Sequence, residues 1–432
     1  MIAIDAATTG RFDARWGKAA GLVARATRGV VFLAVAACAL PSLAQPAPDP
    51  NTPVREADAE AAQSESDAAG EDAYGTPGSA TGSENDSYGP VPAGGWQSTT
   101  TSGGFDFNIY SDVGAYYVGG SAFNFEIGAI DFFARAELGD SISLLSETVV
   151  MLHGDSAMVR PARLFVQYRS GSVLRLRAGR FHTPLGFYTP QYPHGGKIFR
   201  LANRRPRLLA MEHDSAILPN HLTGIAAQVS VDVGFADWRL DLAVGDQRVN
   251  SLAVGNELAK AAVVRLSLLP QRWAGDLDFG VSLWLNHQHV DVDPSAVPPP
   301  GPDATWTFPE VLWEQLAVPY VAYMHYPVEF IAEFFALRHG EDFSGGRRYR
   351  LFGGFIQLGR SLGSWTPYAR FEHFQRDAFN PLYLGHPAPI RLTEATAGLR
   401  WTIDPRLIAR FEFGYEFEDN DPVGGIQLAF GF

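Results

Sequence analysis

The chain has 432 residues, of which 46% are hydrophobic, and a formal net charge of −13 at pH 7. Its one cysteine, Cys38, excludes an internal disulfide and argues against a cysteine-based metal site or nucleophile. Beyond the N-terminal segment there is no run of about 18 apolar residues, which excludes a helical membrane span there. Positive charge comes almost entirely from arginine, and no basic face of the kind that binds nucleic acid is present.

Residues 1–44 have the pattern of an export signal peptide. Basic residues precede an apolar core at Val30–Leu40, and Ser42-Leu43-Ala44 supplies small residues for cleavage. We therefore expect cleavage after Ala44. A second interpretation stays open, because Val35-Ala36-Ala37-Cys38 resembles a lipoprotein cleavage box that would leave Cys38 as a lipidated N-terminus.

Residues 45–104 form an acidic tract of low complexity. The tract is rich in Ala, Asp, Glu, Ser, Gly and Pro, and holds ten acidic residues against one basic residue. With almost no branched apolar residues, it buries too little surface to offset its ordering entropy. We predict a disordered periplasmic linker, and a role as a tether or in contact with cell-wall material stays open.

From Phe105 onward, polar and apolar residues alternate with a period of two, which is typical of strands. Sixteen such segments occur, an even number as in bacterial single-chain barrels, and most can cross about 30 Å of hydrocarbon when tilted. The sequence predicts an all-β fold for 105–432, a 16-stranded antiparallel transmembrane β-barrel. The predicted strands are 105–117, 123–138, 140–152, 160–169, 172–181, 222–232, 236–245, 258–268, 275–289, 311–324, 327–338, 348–359, 364–374, 390–402, 405–417 and 424–432.

The links between the predicted strands alternate in length. Tight turns with turn-forming residues are predicted at 138–141, 169–172, 232–236, 326–327 and 403–405. Short periplasmic turns that alternate with longer external loops are the outer-membrane pattern. The predicted longer links are 153–159, 182–221, 246–257, 290–310, 339–347, 375–389 and 418–423. The first external link, 118–122, is the exception because it is short.

The third external link, 182–221, far exceeds the usual connection of about 4–6 residues. It combines a cluster of cations with two carboxylates. We predict that this loop folds inward and forms the pore constriction, with Glu212 and Asp214 on its acidic side. The predicted constriction cations are Lys197, Arg200, Arg204, Arg205 and Arg207.

The polar faces of the strands are predicted to line the lumen, because an arginine that faces lipid at the midplane costs about 2–4 kcal/mol. Four arginines lie on two adjacent strands that carry no lumen carboxylate of their own, so we expect one electropositive wall. The arginine guanidinium suits carboxylate and phosphate, which favours a solute site. For any single arginine, pairing with a glutamate is the competing interpretation. The four are Arg163, Arg169, Arg175 and Arg177.

Three arginines break this pattern and fall on the apolar face, near the external ends of their strands: Arg160, Arg180 and Arg338. We predict that they contact lipopolysaccharide phosphates, with snorkelling to the interface as the alternative. Histidines also gather in or beside the long loop, but their spacing matches no metal-ligand motif and no metal site is predicted. These histidines are His182, His194, His213 and His221.

The segment Gly179–Phe187, with the sequence GRFHTPLGF, resembles the strand-end motif of the phosphate-selective porin family of types O and P. The strand count and the final strand, which ends in Phe432, extend the resemblance over 105–432. The resemblance implies a homotrimeric channel constricted by its third external loop, and a C-terminal Phe432 read by the barrel-assembly machinery. The chain departs from the family in having only three lysines, so the basic phosphate-capture cluster of the family does not transfer, apart from Lys197 and neighbouring arginines.

These observations predict a bacterial outer-membrane porin that passes small polar or anionic solutes by passive diffusion, with a mild anion preference. No cofactor and no enzymatic activity are predicted, because a barrel enzyme would need a Ser–His pair on the lipid face and no histidine lies at an outward midplane position. The alternative is a non-conducting outer-membrane barrel that serves as an anchor or adhesin.

Overall fold

A computed structural model of the chain describes residues 104–119, 123–153, 156–192, 194, 198, 200–209, 218–246, 261–273, 276–289, 311–341, 346–378, 380 and 389–432. The predicted signal peptide and almost all of the predicted linker lie outside these residues. So do Lys197, Glu212, His213 and Asp214. Within the described ranges, no helix is both long enough and apolar enough to cross a membrane.

The described residues form a closed antiparallel sheet of sixteen strands, which confirms the predicted fold class. Each strand pairs with its neighbours in sequence, and the last strand pairs with the first. The strands are β1 (Phe105–Val118), β2 (Asn124–Ile127 and Ile130–Glu137), β3 (Ile142–His153), β4 (Ser156–Ser170), β5 (Leu174–His182), β6 (His221–Asp232), β7 (Ala236–Asp246), β8 (Ala261–Pro270), β9 (Leu277–His289), β10 (Val311–His325), β11 (Val328–Gly340), β12 (Arg348–Arg360), β13 (Trp365–Arg376), β14 (Arg391–Asp404), β15 (Leu407–Glu416) and β16 (Asp421–Gly431).

Strand β2 is interrupted by a bulge, and both of its segments pair with β1. The Gly128 N–H donates to the backbone carbonyl of Asp112 at 2.7 Å. A Cβ atom at position 128 would overlap the Asp112 carboxylate, so this close approach requires glycine. The single strand predicted at 123–138 is therefore one barrel strand in two hydrogen-bonded segments.

Apolar side chains cover the outer face of the barrel. On β12, the outward Phe352, Ile356 and Leu358 are exposed, whereas the inward Leu351 and Phe355 are buried. The same alternation recurs on the neighbouring strands β11 and β13. An exposed apolar band on a closed sheet is the surface that a lipid bilayer covers.

The inner face is not polar throughout: on one side of the barrel, apolar side chains lie among buried polar ones such as Ser282, Glu314 and Glu333, so the predicted polar lumen does not extend around the whole ring. Strands β9 to β12 direct Trp284, Leu316, Phe335 and Phe355 inward, and these join one buried cluster. The reason is that residues 183–220, the long connection between β5 and β6, pack aromatic and aliphatic side chains against this wall. Those side chains include Leu185, Phe187, Tyr188, Tyr192, Leu208 and Leu209.

The link between β3 and β4 is shorter than predicted. Strand β3 continues to His153 and β4 begins at Ser156, so the predicted link at 153–159 is almost entirely strand. The cause is a bulge at Ala162: Glu147 pairs with Arg163, whereas the next residue of β3, Thr148, pairs with Pro161. The extra residue shifts the alternation of inward and outward side chains in β4, so the first half of the strand does not continue the period-two pattern of the second half.

An arginine at an outward midstrand position tests the lipid-facing surface. Ile356→Arg should lower the free energy of unfolding in phospholipid vesicles by about 2–4 kcal/mol, because the guanidinium meets hydrocarbon. The control Leu362→Arg, in the exposed turn between β12 and β13, should lower it by about 0–1 kcal/mol. Urea titration monitored by heat-modifiable gel mobility measures both, and equal values for the two variants would contradict the assignment.

Candidate functional site: the inner wall and the long connection

A row of polar side chains crosses the inner wall from β4 to β8. Arg169 on β4 lies opposite Arg175 on β5, and Arg175 lies opposite Gln228 on β6. The row continues through Asp241 on β7 to Arg265 on β8. Arg265 is fully buried and its charge is matched by Asp241 at 2.8 Å. Positive charge is therefore concentrated at the Arg169 end of the row.

Carboxylates from neighbouring strands reduce the net positive charge of this wall. Arg163 forms an ion pair with Glu147 on β3 at 2.7 Å, and the Glu147 carboxylate is fully buried. Arg169 lies 3.9 Å from Glu137 on β2. The cluster therefore has acidic partners, although β4 and β5 supply none of them. For Arg163, pairing with a glutamate is the interpretation that holds.

Arg175 and Arg177 line a small pocket on this wall. Gln228 and Asp241 complete its polar side, and Pro184 of the long connection bounds it. The Arg177 Nε donates to the Gln167 Oε1 at 2.7 Å, and its guanidinium stacks 5.5 Å from the centre of the Phe165 ring. The hydrogen bond and the stacking hold the guanidinium in one orientation beside the pocket.

Glu333 on β11 anchors the beginning of the long connection. Its Oε1 accepts the backbone N–H of Phe187 at 2.7 Å and that of Tyr188 at 2.5 Å. The Gly186 N–H donates to the Ser282 Oγ at 2.9 Å, and Arg265 donates to the Gly186 carbonyl at 3.1 Å. Gly186 has a φ of +61°, and a Cβ there would lie 2.5 Å from the Glu333 carboxylate. The glycine of the TPLGF sequence is therefore required both by its backbone conformation and by this approach.

Arg204 anchors the connection farther along. Its Nη2 lies 2.6 Å from Glu394 on β14, and its Nε lies 3.1 Å from Glu412 on β15. Burial alone lowers the pKa of Arg204, but the two carboxylates outweigh burial and raise the pKa above its ordinary value. The charge of Arg204 is thus matched by the barrel wall.

Backbone groups of the connection also bind the inner face. Arg410, which is fully buried on β15, donates to the carbonyls of Ile198 at 3.0 Å and Arg200 at 2.6 Å. Glu372 on β13 accepts the Arg207 N–H at 2.7 Å. A connection that leaves β5 and rejoins at β6 therefore makes contacts on β13 to β15, which lie far around the ring from its origin.

The predicted constriction cations differ in their surroundings. Arg200 is buried, and its carbonyl accepts hydrogen bonds from Arg410. Arg205 is partly buried and donates to the Tyr192 carbonyl at 2.5 Å. Arg207 has an exposed side chain. Lys197, Glu212 and Asp214 lie outside the described residues, so the acidic side of the constriction stays a prediction.

The bulge in β4 changes the orientation of one of the three arginines predicted to face lipid. Arg160 lies opposite Val149, an inward residue of β3 that is 3% exposed, so the outward placement predicted for Arg160 is wrong. Arg180 lies opposite the outward Leu164, and its Nε donates to the Pro161 carbonyl at 3.1 Å. Arg338 lies opposite Arg350, between the buried Leu337 and His339. Arg180 and Arg338 therefore do lie on the outer face.

Three of the four histidines near the long connection meet in the structure. His182 at the end of β5 and His221 at the start of β6 are directly opposed. One ring nitrogen from each of His182, His194 and His221 lies within 4.8 Å of the other two. Sequence spacing gave no signal, because the three residues are brought together from the two ends and the interior of the long connection.

The sequence analysis also did not predict that four glutamates anchor the long connection. Their inward position was readable from the alternation, but their partners are backbone and arginine groups remote in sequence. The one available signal was the recurrence of inward carboxylates at midstrand positions, where desolvation demands a partner. These residues are Glu333, Glu372, Glu394 and Glu412.

Solved structures of outer-membrane proteins share this fold, whereas no protein-family model and no curated protein matches the sequence. A loop L8 deletion mutant of OmpT from Vibrio cholerae superimposes with a TM-score of 0.52 at 11% identity, over 77% of this chain and 100% of that chain. OmpT of Vibrio cholerae itself gives a TM-score of 0.51 at 9% identity, over 77% and 99% of the two chains. An anion-selective porin from Comamonas acidovorans gives a TM-score of 0.51 at 11% identity, over 77% and 100%. At these identities the similarity shows the fold.

A double-mutant cycle tests the Arg204 anchor. Glu394→Gln should lower the free energy of unfolding by about 2–4 kcal/mol, because it leaves a largely buried guanidinium with one of its carboxylates removed. In an Arg204→Met background, Glu394→Gln should lower the free energy of unfolding by about 1 kcal/mol less than in the unmodified protein, because the charge that Glu394 compensates is gone. Asp140→Asn, in the exposed turn between β2 and β3, is the control. Strict additivity of Glu394→Gln and Arg204→Met would contradict the coupling.

Proposed function

We propose that this protein is a bacterial outer-membrane porin that passes small hydrophilic solutes by passive diffusion and mildly prefers anions. The observation that carries the proposal is the basic inner wall, on which Arg169, Arg175 and Arg177 lie on the adjacent strands β4 and β5. A small pocket lined by Arg175 and Arg177 lies beside this wall, and Pro184 bounds it. The shared fold with porins, among them one described as anion-selective, supports the same conclusion.

The proposed constriction lies between the long connection and the wall of β4 to β6. The described part of the connection donates hydrogen bonds to Glu333 and Glu412 and accepts them from Arg410, which supports a position inside the barrel because all three side chains lie on the inner face. The connection would then fill the side of the bore lined by β8 to β15. A solute path would remain beside the arginines.

The mechanism is an electrostatic bias on diffusion and involves no chemical step. Arginine rings in a narrow pore lower the energy of an anion relative to a cation. Glu137 and Glu147 beside Arg169 and Arg163 reduce that bias, which is why the proposed preference is mild. Salt further screens it, with a Debye length of about 8 Å at physiological ionic strength.

The partners proposed for the chain follow from its surfaces and from the family resemblance. A homotrimer is proposed on the resemblance to phosphate-selective porins, and OmpT of Vibrio cholerae is described in a trimer form. Recognition by the barrel-assembly machinery is proposed for Phe432, whose exposed ring stacks on Phe430 at the end of β16. Phosphate selectivity itself rests only on the GRFHTPLGF motif.

A non-conducting barrel that serves as an anchor or adhesin is the second candidate. The buried apolar cluster between the long connection and β9 to β12 favours it, because a plug held by such a core would not leave the bore easily. Single-channel conductance separates the two functions, since a plugged barrel conducts no ions.

Charge reversal in the pocket tests the porin proposal. In planar bilayers under a salt gradient, Arg175→Glu with Arg177→Glu should lower the anion-to-cation permeability ratio severalfold, because the bias at the constriction reverses. Arg360→Glu, at an exposed outer position, should leave the ratio unchanged. Conductance with an unchanged ratio would place the constriction elsewhere, and absence of conductance in the unmodified protein would favour the anchor.

The outer-face arginines provide a separate test of lipopolysaccharide contact. Arg180→Glu and Arg338→Glu should each reduce the lipopolysaccharide that co-purifies with the protein, because a carboxylate repels its phosphates. Arg160→Glu should not, since Arg160 lies opposite the inward Val149. Quantifying lipopolysaccharide in detergent extracts measures all three, and an equal content in every variant would remove the proposed contact.

A further inference from the structure

The histidine cluster defined by His182, His194 and His221 lies where the long connection leaves β5 and joins β6. His182 and His221 form a directly opposed cross-strand pair. The Thr183 N–H donates to the Asn220 carbonyl at 3.0 Å and holds the two ends of the connection together just beyond this pair. His194 is brought from within the connection to the same place. Two of the three imidazoles are therefore carried by a rigid, hydrogen-bonded strand pair.

The spacing of the ring nitrogens fits a shared ion. The Nε2 atoms of His194 and His221 are 3.3 Å apart, and their rings are stacked within 9°. Two nitrogens that each lie about 2.0–2.1 Å from a tetrahedral Zn²⁺ are separated by about 3.3–3.4 Å. The observed separation therefore equals one edge of a zinc coordination tetrahedron. A hydrogen bond between two neutral imidazoles is the competing explanation.

His182 supplies a second and independent observation. Its side chain is 8% exposed, and neither of its ring nitrogens has a hydrogen-bond partner among the described residues. A buried polar group without a partner is destabilising. Its ring lies 4.8 Å from that of His221, centroid to centroid, and 5.8 Å from that of His194. A ligand shared with the other two histidines would satisfy it.

We propose that His182, His194 and His221 bind one divalent transition-metal ion, of which Zn²⁺ is the representative, through three imidazole nitrogens. The ligand atoms lie within 4.8 Å of one another, which exceeds a tetrahedral edge, so binding requires the His182 nitrogen to move closer by about 1.4 Å through side-chain rotation. Three protein nitrogens leave a fourth position for water or an anion. The bound ion ties both ends of the long connection to its interior.

Nearby arginines shape the ligand preference of this site. The cations Arg180, Arg205 and Arg163 all lie within electrostatic range of His221. They weaken the binding of a bare dication and favour an anion at the fourth position. Affinity should therefore rise when chloride or phosphate accompanies the ion.

Calorimetric titration of ZnCl₂ into the full mature chain, purified in detergent and stripped with a chelator, tests the proposal. We expect one Zn²⁺ per chain, and a loss of affinity of at least about tenfold in each of His182→Gln, His194→Gln and His221→Gln. The matched control is His373→Gln, because His373 lies on β13 and hydrogen-bonds to Thr393. Equal affinity in all four variants and the unmodified protein would overturn the site.

Co²⁺ absorption gives a readout that needs no variant to fold. Four-coordinate Co²⁺ with three imidazoles has intense visible bands, whereas a six-coordinate aqueous ion at a surface carboxylate has weak ones. We expect intense bands in the unmodified protein that disappear when one equivalent of Zn²⁺ is added. Weak bands only, or bands that Zn²⁺ does not displace, would leave the cluster as a hydrogen-bonded histidine pair. The result does not depend on whether the barrel conducts.

Discussion

The structure depends on carboxylates that the barrel directs into its own interior. A desolvated carboxylate is costly unless it is hydrogen-bonded or paired. Glu333 meets this need with the backbone N–H groups of Phe187 and Tyr188, and Glu394 and Glu412 meet it with Arg204. The strands thus hold the long connection by satisfying their own buried charges. In its proposed inward position, the connection would fill an interior that a sheet of this size cannot fill with its own side chains.

This arrangement divides the inside of the barrel into two unlike halves. The wall of β9 to β12 presents Trp284, Leu316, Phe335 and Phe355 to the aromatic residues of the connection, with buried polar groups such as Glu314 and Glu333 among them. The wall of β4 to β6 presents Arg169, Arg175 and other polar groups. The first wall is thus closely packed, and the second has the charge expected of the proposed solute path.

Much of the fold was readable from the sequence, because the alternation of side chains along a strand reports directly on its two environments. The strand count, the length of the connection after His182 and the inward direction of Glu412 all follow from that period. The alternation failed where one residue is inserted. The extra residue at Ala162 moves Arg160 to the other face, and nothing in the local composition marks it.

The candidate site was predictable in composition but not in contacts. In the sequence, Arg204 is one member of a cluster of loop cations with no carboxylate close to it. Its partners Glu394 and Glu412 lie about two hundred residues away in sequence, and only the closed sheet places them beside it. The same holds for the histidine cluster, whose members are joined by the pairing of β5 with β6. Local patterns report burial, whereas pairings between remote residues depend on the register of the sheet.

Cysteine accessibility tests the central claim, a barrel packed on one side and open along its arginine wall. In a Cys38→Ser background reconstituted in planar bilayers, a charged methanethiosulfonate reagent should modify Arg175→Cys and reduce the current. It should leave Phe355→Cys unmodified, because the long connection covers that wall. Rapid modification of Phe355→Cys together with no reaction at Arg175→Cys would contradict the account.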